Sequence, residues 1–159
     1  QEGWKGVPDG LRRTIPDVVT CLRNHAKLGK SLFWLEGISD EYLEEVYAAS
    51  SCLIAASEGE GFGLPLIESA QHKLPIIARD IPVFREVAGR HAFYFENSKD
   101  PQIVAKAIVD WLELNASGKA PQSTKMPWLT WAQSAKQLMD KVLGKNQFSL
   151  GLNKQYENK

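Results

Sequence analysis

The chain has 159 residues, 43% of them hydrophobic and 24% charged, and its 19 Lys and Arg cancel 19 Asp and Glu. Without net charge there is no long-range field to gather a phosphate backbone, so a general nucleic-acid binder and a polybasic membrane anchor are disfavoured, while small charged ligands stay compatible. A chain of this length buries roughly 70% of its unfolded surface, enough for one ordinary core, and no apolar run approaches the ~20 residues that cross a bilayer.

The sequence opens on Gln1 rather than Met, and residues 1–6 do not read as the start of a domain, so a piece of a longer protein is expected. Residues 17–28 read as a helix with Val18, Cys21 and Leu22 on one face, followed by an apolar run at 31–35 that reads as a buried strand. Ser39 and Asp40 supply an N-cap and an acidic first turn ahead of Leu43, Val46 and Tyr47 at helical spacing. Three further short apolar runs, 52–56, 75–78 and 92–95, read as buried strands, with a helix starting near Pro65 after the first. Asp100 before Pro101 opens another helix, whose stripe is Ile103, Val104, Ala107, Ile108, Trp111 and Leu112. Residues 115–127 read as a loop, and Thr130 with Gln133 forms a capping box for a last helix to about Leu143, ahead of a polar tail. This gives one domain over 1–144 and a tail over 145–159.

Strands alternating with helices imply an α/β fold, a mostly parallel sheet with helices on both faces. Ligands in such sheets bind beyond the carboxyl ends of the strands, which points to loops 36–39, 57–64 and 79–81. Cys21 and Cys52 sit among apolar neighbours without disulfide or metal-type spacing and read as buried free thiols suited to a reducing compartment. His25, His72 and His91 show no ligand spacing, so no metal site is expected. Trp34, Trp111, Trp128 and Trp131 read as packing groups, with an interdomain contact as the alternative for Trp131. Arg79 and Asp80 read as structural, with Arg85 and Glu86 as partners.

The most informative segment is Ser57-Glu-Gly-Glu-Gly-Phe-Gly-Leu-Pro-Leu-Ile-Glu68. Gly59, Gly61 and Gly63 allow positive φ and close approach to the backbone, and Pro65 starts a helix whose unsatisfied N–H groups face the same opening. That makes an anion site suited to a diphosphate. Glu60 and Glu68 are not needed by a plain turn; they suit sugar or ribose hydroxyls, or a developing positive charge at an oxocarbenium-like carbon. A dinucleotide fingerprint would use Gly59, Gly61 and Asp80, but it would put Leu64 where a small residue is needed and Glu60 beside the pyrophosphate.

The stretch Glu60-Gly-Phe-Gly-Leu-Pro-Leu-Ile-Glu68 has an E-x7-E pattern and resembles retaining glycosyltransferases of family 4, the glycosyl transferases group 1. Gly37-Ile-Ser-Asp-Glu-Tyr-Leu is similar to that family's base-side loop, and the run from Leu74 to Gly89 to its next strand, turn and helix. The resemblance, over about residues 1–143, implies the partial C-terminal, Rossmann-like donor domain of a GT-B enzyme, lacking its first strand or strands, its basic diphosphate clamp and the acceptor domain. It implies that Glu60 contacts the transferred sugar, that Glu68 holds the ribose, that amides of Gly61, Phe62, Gly63 and Leu64 hold sugar and diphosphate, and that Gly37 and Ile38 border the base. The implied reaction moves a hexose, mannose among the candidates, from a nucleoside diphosphate to a glycan or lipid-linked acceptor. No cofactor or metal is implied, and no nucleic acid. The implied setting is bacterial polysaccharide assembly in the cytoplasm, with peripheral attachment to the inner face of the membrane as an option. The chain by itself is expected to show no transfer. A non-catalytic nucleotide-sugar or interaction module on the same fold is the alternative.

Overall fold

A computed structural model describes residues 15–143. The chain divides into two compact units, Gln1–Ala49 and Ser50–Lys159. The polar tail expected over 145–159 lies outside the described residues.

In the first unit, helix α1 spans Ile15–Arg23 and helix α2 spans Asp40–Ala49. Helix α1 stops short of the expected end because the chain turns at once: His25 N–H donates to Leu22 O at 3.1 Å, and Lys27 N–H donates to His25 Nδ1 at 3.2 Å. The expected strand at 31–35 does not form. Leu32 N–H donates back to Lys27 O at 3.1 Å and Gly29 N–H donates to Leu32 O at 2.8 Å, leaving one isolated bridge between Leu28 and Leu32. A strand exists only with a ladder partner, and among the described residues this run has none; Phe33 and Leu35 are exposed. Cys21 and Val18 are also exposed, which corrects the buried reading of that thiol. Trp34 is half-buried, with the Arg23 guanidinium 5.2 Å from its ring centroid. Ser39 caps α2 as expected, its Oγ accepting from Tyr42 N–H at 3.3 Å.

The second unit is a three-stranded parallel sheet in the order β1 (Leu53–Ala55), β2 (Ile76–Arg79), β3 (Phe93–Phe95). Leu53 pairs with Ile76 and Ala55 with Ala78, while Ile77 pairs with Phe93 and Arg79 with Phe95. Helices α3 (Leu64–Gln71) and α4 (Pro82–Ala88) make the two crossovers, and α5 (Pro101–Ala116) follows β3. Because side chains alternate across a pleated strand, β2 feeds two cores. Ile76 and Ala78 meet Leu66 and Ala70 of α3 and Phe84 and Ala88 of α4. Ile77 points the other way and joins Ala107 and Trp111 of α5. The sheet is therefore covered on both faces, as the alternation of elements requires.

Asp100 caps α5 by accepting from Gln102 N–H at 2.9 Å. The α5 stripe is narrower than the sequence suggests: Trp111 is buried, whereas Leu112, about 100° further round the helix, is exposed. The connection after α5 covers core, since Ala120, Ser123 and Met126 are buried and Ser123 Oγ donates to Leu74 O at 2.8 Å. Helix α6 spans Trp131–Leu143 behind the expected capping box, in which Gln133 N–H donates to Thr130 Oγ1 at 3.2 Å and Thr130 N–H to Gln133 Oε1 at 2.9 Å. Of the tryptophans expected to pack, Trp128 is only partly covered, at 41% exposed, and Trp131 is 83% exposed on a helix that has no buried residue. Cys52 is half-buried and burial pushes its thiol pKa up. No helix of the described residues is long and apolar enough to cross a membrane.

In urea unfolding, Phe84→Ala should cost about 3–5 kcal/mol through the cavity left between α4 and β2. Asp100→Ala should cost about 1 kcal/mol, and Leu112→Ala less than about 0.5 kcal/mol.

Candidate functional site

All three strands run the same way, so their carboxyl ends share one edge. The chain leaves β1 at Ala55, runs through an exposed loop, and enters α3 at Leu64 through Gly63. Gly63 is the N-cap of α3 at φ 80° and ψ 32°, a left-handed conformation. A Cβ there would meet Val87 Cγ2 at 3.5 Å and Phe84 Cδ1 at 3.7 Å, which is ordinary contact. The torsion, not the space, therefore calls for glycine. Gly59 and Gly61 are not in the left-handed region, which corrects the expectation of three permissive turns. A Cβ at either would meet nothing within 4 Å, so these two keep the loop open to an approaching molecule.

No side chain caps α3, and Pro65 in its first turn brings no N–H. Leu66 N–H donates to Gly63 O at 3.0 Å, so the amino end presents the Leu64 N–H and the positive end of the helix dipole. Glu60 is exposed, and its Oε1 accepts from Gly61 N–H at 3.0 Å, so one of the amides assigned to an anion already holds an anionic oxygen. Phe62 and Leu64 are exposed on either side of Gly63, and Glu68 is half-buried in the second turn of α3. Glu60, Gly61, Phe62, Gly63, Leu64 and Glu68 thus lie on one continuous loop and helix. Gly37, at φ 67°, and half-buried Ile38 lie in the first unit, in the turn before α2.

Two groups at the same edge of the sheet complete the surroundings. Asp80, just after β2, is held by Arg85 of α4 through two 2.7 Å hydrogen bonds, and the Arg85 guanidinium lies 3.7 Å from the centroid of the Tyr94 ring. Arg85 holds the Asp80 carboxyl below its ordinary pKa, and Asp80 raises that of Arg85. Both oxygens of Asp80 bind Arg85, so a ribose contact of the dinucleotide type would have to share the carboxylate with that guanidinium. Arg79, the last residue of β2, is buried; its Nε donates to Ala56 O at 3.0 Å and its Nη1 to Ser98 O. The structural reading of Arg79 and Asp80 holds, but the partners of Arg79 are carbonyls and not Glu86. The only local hint of this was an arginine closing an otherwise apolar strand. Among the described residues no cluster of three or more His, Cys, Asp or Glu could hold a metal ion.

Residues 16–125 match the family described as glycosyl transferases group 1. The chain is 58% identical over 118 residues to the serotype-specific mannosyltransferase WbdA of Escherichia coli, an alignment covering 74% of this chain and 14% of that protein. It is 37% identical over 68 residues to the O-antigen chain mannosyltransferase RfbU of Salmonella typhimurium, covering 43% of this chain and 19% of that one. Among solved structures, one described as the crystal structure of the GtfA/B complex superposes with a TM-score of 0.44 at 23% identity, over 89% of this chain and 24% of the other. The chain therefore spans only a small part of the length of its relatives.

Gly63→Ala should destabilise the protein by about 1–2 kcal/mol, the cost of a left-handed alanine, while Gly59→Ala and Gly61→Ala should stay within about 0.5 kcal/mol; urea titrations separate the two cases. The lowered pKa of Asp80 means that its contribution is present above the ordinary carboxylate range and is lost as pH falls through the lowered value. Asp80→Asn should remove that part of the acid dependence, read as a flatter melting temperature against pH.

Proposed function

The chain belongs to the glycosyl transferases group 1 family, and on that premise we propose that it is the donor-binding part of a hexosyltransferase, with loop 57–64 and the start of α3 holding a nucleoside-diphosphate sugar. The observation that carries this reading is the uncapped amino end of α3, entered through left-handed Gly63 at the carboxyl end of β1. The Glu60 carboxylate on Gly61 N–H occupies one of these amides, so donor binding at the loop has to displace it. The names of the relatives, mannosyltransferases of serotype and O-antigen chains, favour mannose as the sugar and a surface polysaccharide as the acceptor. A lipid-linked acceptor would bring the whole protein to the inner face of the membrane.

In this reading the amides of Gly61 to Leu64 and the helix dipole stabilise the charge that gathers on the leaving diphosphate, without a metal ion. Glu68, one turn into α3, accepts from the ribose hydroxyls. Glu60 gives up Gly61 when the donor arrives and turns to the hexose, where its charge favours an oxocarbenium-like centre. Departure ahead of attack from the same face retains the anomeric configuration.

In the protein at its full natural length, with GDP-mannose taken as the probe among nucleoside-diphosphate mannoses, Glu60→Gln should lower mannose transfer by about a hundredfold or more and leave GDP affinity nearly unchanged. Unchanged turnover would remove Glu60 from the chemistry, and a natural protein that binds the donor but transfers nothing would favour a non-catalytic module.

A further inference from the structure

Arg79 is 6% exposed, and among the described residues no carboxylate pairs with it. Burying a guanidinium against carbonyls alone is a poor way to stabilise a core, since an apolar side chain of similar volume serves as well or better. Its three contacts instead have a common geometry. Nε holds the carbonyl of Ala56, where the chain leaves β1; Nη1 holds the carbonyl of Ser98, three residues beyond β3; and the guanidinium lies 5.2 Å from the centroid of the Phe95 ring. Arg79 itself ends the central strand. One rigid fork thus ties the exits of all three strands, at the edge where ligands of parallel sheets bind.

The glycine loop is fixed at its far end by Gly63 and the start of α3. At its near end the chain comes straight out of the carbonyl that Arg79 grips, four residues ahead of Glu60. Between these points the loop residues are exposed and carry little packing of their own. We infer that Arg79 is a positioning residue for the donor loop: by fixing Ala56 against Ser98 it sets where Glu60 and the amides of Gly61 and Phe62 stand, without touching the donor. This rests on the donor reading for its consequence in turnover, but not for its effect on the loop. Lysine cannot replace the fork, because its ammonium is a point donor on a flexible stem.

The test uses the protein at its full natural length with Arg79→Lys, and with Arg79→Gln beside it in case the lysine variant does not fold. Amide hydrogen exchange, read by mass spectrometry without any ligand, should speed up about tenfold over the strand exits 53–56 and 93–96, whose ladder amides are protected, and stay unchanged over α5. With GDP-mannose, kcat should fall by up to about a hundredfold, as for a misplaced reacting group, while GDP, which loses the Gly61 and Phe62 amides but keeps Gly63, Leu64 and the start of α3, should weaken by no more than about tenfold. A role in stability alone would lower the melting temperature, raise exchange evenly and leave the kcat of the folded fraction as in the natural protein; that result, or unchanged exchange over 53–56, where the loop leaves β1, overturns the proposal. The exchange arm needs no donor, so its failure is distinct from failure of the donor reading, which shows in the Glu60→Gln experiment.

Discussion

A chain that leaves a buried parallel strand must reverse over the sheet to reach the next one, and in this protein the reversal into α3 passes through one left-handed residue, Gly63. The torsion sets the direction in which α3 starts, and the packing of α3 follows from that direction. Leu66 and Ala70 then face Ile76 and Ala78 of β2, and Phe84 of α4 closes the same cluster from below Gly63. The turn that builds this core also leaves the amino end of α3 without a side-chain cap and turned toward the carboxyl ends of the strands. Packing and anion binding thus share one backbone constraint.

The absence of net charge takes on a more local meaning at this edge of the sheet. The charges there are arranged in short-range pairs: Glu60 on the Gly61 amide, Asp80 on Arg85, and Arg79 on two carbonyls. Such contacts act over a few ångströms and do not gather ligands from a distance. A small anionic substrate suits this arrangement because the amides and the helix dipole hold it on contact. The glycines divide the work, Gly63 making the turn while Gly59 and Gly61 leave the approach open.

Much of the fold was legible because its signals are local. The runs at 52–56 and 92–95 contain β1 and β3, the run at 75–78 overlaps β2 but misses its last residue, Arg79, the Asp100 cap and the Thr130 and Gln133 box form as written, and the segment from Glu60 to Glu68 lies on one loop and helix. The failures are those where the outcome depends on distant partners. The run at 31–35 has the composition of a strand but no ladder neighbour among the described residues. Trp131 and Cys21 have apolar character, yet nothing described covers them. Arg79 reaches carbonyls 23 and 19 residues away, contacts for which no spacing rule exists.

The most direct measurement is a crystal structure of the protein at its full natural length with GDP-mannose bound. The diphosphate should lie against the amides of residues 61–64 at the start of α3, with the ribose at Glu68 and the hexose at Glu60. A donor seated elsewhere, with the Glu60 carboxylate still on Gly61 N–H, would contradict this placement.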